Sequence, residues 1–238
     1  MKIDIHIHSA GSHDCRTAPE DLINAAKKAG LDGIAICDHD HFYDGPIPDD
    51  FILLRGCEFS TPYGHLLGIN LKNAVEPAPI EQLIRQIHAQ GGLAILAHPY
   101  EHLRYREQIE KIAPLLDGVE VFNARACRKN KAANRQAMAF AKRYALPIFG
   151  GSDAHTLREI GNGYTILSSI DELARGGQVV CGRNSPHFCT AQSQWVRLRK
   201  KRSSILHYMR WFLFAAKCLM EDGFIKKEKQ YVTYRKDW

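Results

Sequence analysis

No C-x-x-C pair occurs among the seven cysteines, which lie scattered at 15, 37, 57, 127, 181, 189 and 218. An odd, dispersed set of this kind argues against a disulfide framework and for a reducing compartment. No apolar run is long enough to span a bilayer. The opening Met1-Lys2-Ile3-Asp4-Ile5-His6 is charged, so no signal peptide is expected there and a cytoplasmic location is the expectation. No G-x-G-x-x-G follows the first apolar run, which leaves a dinucleotide site without support. Internal repeats and low-complexity tracts are also missing.

What is present is histidine. The 238 residues hold 12 of them, several in tight clusters, on an otherwise ordinary background of 45% hydrophobic and 24% charged residues. This length suits one large α/β barrel, or one domain with an addition. The formal charge of +6 is unevenly placed. Residues 195–238 carry twelve Lys/Arg against four Asp/Glu, so the rest of the chain is slightly acidic.

The first 175 residues alternate short apolar runs with amphipathic stretches, the mark of parallel βα units. Strands are expected at Ile3–Ile7, Gly33–Cys37, Phe51–Phe59, His65–Leu71, Leu93–Ala97, Gly118–Phe122, Pro147–Gly151 and Tyr164–Leu167. Helices are expected from a Thr17-Ala18-Pro19-Glu20 capping box to Ala29, and over Pro79–Gln90, Arg104–Leu116, Lys131–Tyr144 and Ser169–Arg175. Seven or so strands of this kind suggest a closed or nearly closed barrel, with a doubly wound open sheet as the competing arrangement.

The strand ends carry the chemistry. The first ends in His6-Ile7-His8, and alternation in an extended strand points both imidazoles to one side. Asp38-His39-Asp40-His41 ends the second and Glu58 the third. His65 opens the fourth. His98-Pro99, Glu120-Val121-Phe122-Asn123 and Asp153-Ala154-His155 end the next three. In a parallel barrel the C-terminal strand ends share one rim, where reacting groups gather. Packing alone would leave these groups buried without partners, at about 1–3 kcal/mol each. Shared coordination of metal ions satisfies them together.

H-x-H after the first strand, D-H after the second, G-x-E after the third, then A-H-P and S-D-A-H: in this order the motifs resemble those of the PHP (polymerase and histidinol phosphatase) family over roughly residues 1–185. The resemblance implies a distorted (β/α)7 TIM-like barrel of class α/β, taken as a domain over 1–194, with a basic C-terminal helical extension over 195–238. It implies a two- or three-metal site. His6 and His8 would bind one ion with Glu58 and Asp153, Glu58 would bridge to a second held by His65 and His98, and a third would take Asp14, His39 and His155. His13 is the substitute for Asp14. Mixed imidazole and carboxylate ligands suit Mn²⁺, Zn²⁺ or Fe²⁺. Ions about 3.5–4 Å apart lower the pKa of a shared water, and the metal-activated hydroxide is expected to attack phosphorus. The function implied is a phosphoesterase acting on a phosphomonoester or nucleotide-type substrate. The alternatives are a non-catalytic metal-binding regulatory domain and a hydrolase of a non-phosphate bond. Glu58 and His98 lie too close in sequence for the inserted domain of the family's nucleotide-bisphosphate and RNA-trimming members.

Asp153 and His155 are the candidates for proton transfer. Arg16, Arg104 and Arg125 follow motif residues and are the candidates for gripping a small phosphorylated substrate, guanidinium forks being suited to phosphate. Asn123 is a candidate to touch substrate, to orient a ligand or to cap the next helix. Asp38 and Asp40 flank His39 and are read as partners holding its imidazole. His41, His88, His102, His187 and His207 match no motif and are read as ordinary residues. The tail, with Arg197-Leu198-Arg199-Lys200-Lys201-Arg202 ahead of the apolar Ile205–Met220, is expected as an added helix packed on the barrel with a solvated basic face. Two other readings stay open. One is a peripheral helix on anionic membrane with Trp211, Phe212 and Phe214 inserted; the other is a nucleic-acid or phosphorylated-substrate surface.

Overall fold

The computed structural model describes residues 1–102, 108–224 and 231–238. Lys2–Ile7 forms β1, with Ile3, Ile5 and Ile7 alternating with Asp4, His6 and His8, all fully buried. A strand covered on both faces belongs inside a barrel wall rather than on an open surface. Gly33–Ile36 (β2) and Ile52–Thr61 (β3) add to it in parallel. Gly64–Ile69 (β4) turns back on β3 as a hairpin, and Leu93–Leu96 (β5) pairs antiparallel with β4. Gly118–Asn123 (β6) and Ile148–Gly151 (β7) continue in parallel.

The ring then closes at the end that carries the motifs. Asp153 donates its backbone N–H to the His6 carbonyl (2.8 Å) and His8 donates to Ala154 (2.9 Å), next to a parallel bridge between Ile7 and Ala154. On the far side of β1 three antiparallel strands follow: Gly163–Ile166 (β8), Val179–Gly182 (β9) and Val232–Arg235 (β10). The result is one curled ten-stranded sheet, a distorted barrel with helices packed on it.

Helices Pro19–Lys28 (α1), Ile80–Ala89 (α2), the single turn Ile109–Ile112 (α3) and Ala133–Arg143 (α4) cover the wall. In α2, Ile80, Leu83, Ile84 and Ile87 form the buried stripe that the 3.6-residue period requires. Several expectations shift. Ala18, not Thr17, is the N-cap of α1 and no side chain caps it; Pro19 at the first helical position starts the helix through its fixed φ. The helix expected over Arg104–Leu116 begins in residues outside the described set, and the described part is α3 followed by a 3-10 turn, Ala113–Leu115. Ile170–Arg175 is a 3-10 turn as well.

The C-terminal part is a helical hairpin, His187–Lys200 (α5) and Ile205–Phe224 (α6), followed by the return of β10 to β9. The expected boundary at 194/195 falls within α5. Among the described residues no helix is long and apolar enough to cross a membrane.

Candidate metal centre

Each wall strand delivers its polar end to one place. Glu58 lies at the middle of a ring of imidazoles. Its Oε1 is 2.7 Å from His65 Nδ1, 3.0 Å from His98 Nε2 and 3.5 Å from His6 Nε2. Its Oε2 is 2.8 Å from His39 Nδ1 and 3.4 Å from His8 Nε2. Asp153 Oδ1 sits 3.3 Å from His8 Nε2 and 3.4 Å from His155 Nδ1. Asp14 Oδ1 sits 3.2 Å from His155 Nε2 and 3.6 Å from His39 Nε2. The nine candidate ligands, from β1, the loop after it, β2 through β5 and the turn after β7, thus share one cluster. His13 is at the rim, with its side chain 41% exposed, and its ring lies 4.8 Å from that of His39.

The orientation of the rings is fixed from behind. His6 Nδ1 faces Glu120 Oε1 at 3.1 Å, His8 Nδ1 faces Ser12 Oγ at 2.9 Å, and His155 Nδ1 faces the Asp153 carbonyl at 2.9 Å. A ring whose Nδ1–H is donated outward keeps an Nε2 lone pair pointing inward, the tautomer a metal ligand needs. Ser12 Oγ in turn donates to Asp38 (2.7 Å), which relays that carboxylate to His8.

Three observations test whether ions fit. Five overlapping triads of ligand atoms, such as His6/His8/Glu58 and His8/His39/His155, lie within 4.8 Å of one another. His6 and His8 direct their Nε2 atoms at each other at 3.2 Å, an arrangement in which two lone pairs repel unless a cation or proton lies between them. Asp14 Oδ1 and Glu58 Oε2 are buried and accept no well-directed hydrogen bond, despite the nearby nitrogens. Orphaned carboxylate oxygens among inward-facing imidazoles match divalent ions.

Protonation follows the same crowding. Burial opposes charge at every group. At His39 the Glu58 and Asp14 carboxylates overcome it and push the ring up to about 10; at His98, Glu58 and Glu101 push it up to about 9. Burial lowers His8 well below the usual value, reinforced by His155 and His39. Glu58, Asp153 and Asp14 are buried, yet the surrounding imidazoles hold all three below the ordinary carboxylate range. Two of these residues have left-handed backbones, His98 (φ 27°) and Asp153 (φ 53°), a strain that persists where surrounding contacts impose it.

The expected substrate contacts fare differently. Asn123 is fully buried and its amide is spent: Nδ2 donates to Glu120 and Asp153, and Oδ1 accepts the Arg125 and Ala126 backbone N–H groups. It therefore orients Asp153 and caps a turn instead of facing substrate. The Arg125 guanidinium is bound to Glu159 (2.7 Å), the Cys189 carbonyl and Ser193, so it ties the rim to α5. Arg16 is exposed beside the loop carrying Asp14, and Arg104 lies outside the described residues. Asp38 and Asp40 do not hold the His39 ring. Asp38 accepts four hydrogen bonds from Ser9 and Ser12, and Asp40 accepts two from Ser60, because short carboxylates there satisfy loop N–H and O–H groups first.

Four acidic residues outside the candidate ligands matter. Glu120, fully buried, holds His6, Asn123 and the His98 backbone N–H together. Glu159 accepts the His155 and Thr156 N–H groups. Glu101 pairs with His98 and Lys129. Asp4, pushed up to about 7 chiefly by burial, accepts the Ser152 and Gly161 N–H groups and locks the turn before Asp153. The period of β1 signalled Asp4, and Glu120 ended a motif strand; Glu101 and Glu159 carried no comparable signal. Gly151 leaves the room this needs, since a Cβ there would lie 2.6 Å from His6 Cβ and 2.7 Å from Glu120 Oε1.

A sequence model of the PHP domain matches residues 4–144, and one described as PHP-associated matches residues 131–175. The chain belongs to the PHP domain family. An uncharacterized protein of Methanocaldococcus jannaschii is 32% identical over 183 residues, 72% of each chain. Among solved structures, the fold is similar to that of a two-domain Bacteroides vulgatus protein containing a predicted PHP-like metal-dependent phosphoesterase (TM-score 0.55, 18% identity, 76% of this chain). The present chain spans 57% of that protein. It is similar also to an amidohydrolase of Chromobacterium violaceum with bound sulfate and no metal (TM-score 0.54, 16% identity, 81% of this chain and 97% of that one).

Proposed function

We propose that this protein is a metal-dependent phosphoesterase that hydrolyses a small phosphomonoester or nucleotide-type substrate. The observation that carries the reading is the inward set of Nε2 lone pairs around the orphaned Glu58 and Asp14 oxygens. Two or three divalent ions (Mn²⁺, Zn²⁺ or Fe²⁺) held by His6, His8, Asp14, His39, Glu58, His65, His98, Asp153 and His155 would supply an activated water and charge neutralisation. The chain's own residues do the rest. Glu120 and Ser12 fix the rings of His6 and His8, and Asn123 holds Asp153 in place. Of the two candidates for proton transfer, Asp153 is the one we assign to a bound oxygen, since His155 has Nδ1 on the Asp153 carbonyl and Nε2 turned to Asp14.

An anionic substrate is favoured by the mouth of the site. His13 stands there with a pKa lowered chiefly by burial, against the Asp14 carboxylate, which raises it, and with His39, Arg197 and Lys201 adding to the lowering. The two latter cations come from the C-terminal hairpin and bias the entrance toward phosphate over a neutral amide. The completeness of the ligand set weighs against a non-catalytic regulatory domain, where lost ligands are expected.

The test is a screen of phosphomonoesters, oligonucleotides and N-acyl compounds with Mn²⁺ added to the purified chain. Phosphate release that Asp153→Asn abolishes, with the fold retained by circular dichroism, is the expected result. Release of amine or carboxylate from an N-acyl compound, with no phosphate from any ester, would replace the reading with non-phosphate hydrolysis.

A further inference from the structure

Helix α6 is apolar nearly all the way round, and only half of it is used. Trp211, Phe214, Ala215 and Cys218 turn toward α5, where the Trp211 indole N–H donates to the Ala191 carbonyl (2.7 Å). The opposite face holds Ile205, Met209, Phe212, Leu213, Leu219 and Met220, all exposed, with Ile205 and Leu213 at 77% and 76%. On a 100° wheel these residues fall in one continuous arc without a charged member. Of the aromatic side chains that the sequence offered for membrane contact, only Phe212 faces outward. An exposed stripe of this kind marks a surface that is covered in use.

Charge selects what covers it. Arg210 and Lys217 follow the arc at one edge of the wheel. The acidic residues of α6 are engaged: Asp222 accepts the backbone N–H groups of His187 and Phe188, and Glu221 pairs with His187 and, at 3.7 Å, with Lys217, which leaves Arg210 as the unshared cation of that edge. At the start of the helix lies a shallow groove of about 590 Å³, lined by Trp195, Arg199, Arg202, Tyr208 and Phe212. Trp195 meets Tyr208 edge to face at 5.3 Å and is backed by a tilted Trp211 ring at 4.6 Å. Aromatic side chains with guanidinium groups beside an apolar face are the composition of a helix lying in a lipid headgroup layer. A second copy laid antiparallel on this face would bring the Arg210 edges together.

We propose that α6 docks this protein on an anionic lipid bilayer, with its apolar face among the acyl chains and Arg199, Arg202 and Arg210 at the phosphates. Among the described residues no helix is long and apolar enough to cross a bilayer, so the contact proposed is a peripheral one. The proposal does not depend on what the metal centre hydrolyses.

The test is flotation of the full chain with vesicles of phosphatidylcholine alone or with a third phosphatidylglycerol. The expected result is flotation with the anionic vesicles only, weakened by salt, and lost in Phe212→Glu/Leu213→Glu. Turnover of a small substrate stays as in the wild type, and because Phe212 packs on Trp211 the single variant Leu213→Glu, 76% exposed, serves as the one that keeps the wild-type melting temperature while weakening flotation. No flotation with anionic vesicles overturns the proposal, as does equal flotation of the double variant. A concentration-dependent dimer that the same variant dissociates would assign the face to a second copy. Salt-sensitive RNA binding without flotation would assign the basic surface to nucleic acid. Either overturns the proposal.

Discussion

The rim of the barrel and the C-terminal hairpin are unfinished in opposite senses. At the rim, charged and polar groups are buried: Glu58, His6 and His8 have almost no contact with solvent, and two carboxylate oxygens lack a directed partner. On α6, large apolar side chains are left in water. Each arrangement is costly by itself, since buried ionised groups need partners and exposed apolar surface needs cover. Each therefore indicates what is to be bound: cations at the rim, an apolar phase with anionic borders at the hairpin. The rim is held by hydrogen bonds behind His6, His8, His155 and Asp153, whereas the α6 face has no such support and needs none, because the hydrophobic effect is non-directional.

The two regions are joined by Arg125, which reaches the Cys189 carbonyl and Ser193 of α5, and by Lys200. Lys200, at the end of α5, donates to the carbonyls of Ser12 (2.6 Å), Cys15 (2.9 Å) and Ala10 (3.2 Å), the loop that carries Asp14.

Substitutions that separate the regions rank by size. Glu58→Gln removes the carboxylate shared by five imidazoles and should lower kcat/KM by at least about 10²–10³-fold, the scale of losing one transition-state charge stabiliser. Phe212→Glu should leave that rate unchanged; a comparable loss there would show that the hairpin forms part of the site. Next, Glu120→Gln unties the His6 ring and should weaken metal binding by about 10–100-fold, measured by competition with a chelator.

Stripping the ions should lower the melting temperature, and by an amount that grows with pH. His98 at about 9 and His39 at about 10 lie above the free imidazole value. Their protonated forms stabilise the stripped protein fully below the unfolded value near 6.5, and that contribution is lost as pH rises through 9 to 10. Metal binding needs the same rings deprotonated and strengthens over that window. The melting gap between loaded and stripped protein should widen from pH 6.5 to 10, and a constant gap would remove His39 and His98 from the ligand set.

The smallest effect is expected at Lys200→Met, which frees three carbonyls of the Asp14 loop. Metal affinity should fall less than in Glu120→Gln, with vesicle binding unaltered; no change in metal affinity would mean that the hairpin and the rim act separately.

Much of this was legible beforehand. The strands with polar ends were read from alternation, and the nine side chains that now surround one centre from the family resemblance that the motif order carries. Those features are local: a period of two fixes which residues share a strand face, whatever the strand meets later. Other roles were not local. Whether Arg125 and Asn123 face substrate depends on Glu159, Asp153 and α5, all distant in sequence. Asp38 stands next to His39 in the chain, yet is taken by Ser9 and Ser12. The strands β9 and β10 carried too short a pattern to detect and form by pairing with an edge already in place.

By itself, then, the sequence determined the metal-ligating composition, the strand phases and the basic, apolar character of the tail, because each is set by residue type and short-range spacing. Tertiary structure alone decided which nitrogen of each ring points inward, which arginines are already occupied, and which half of α6 stays open. Those outcomes depend on what packs behind each group, and that partner comes from a distant part of the chain.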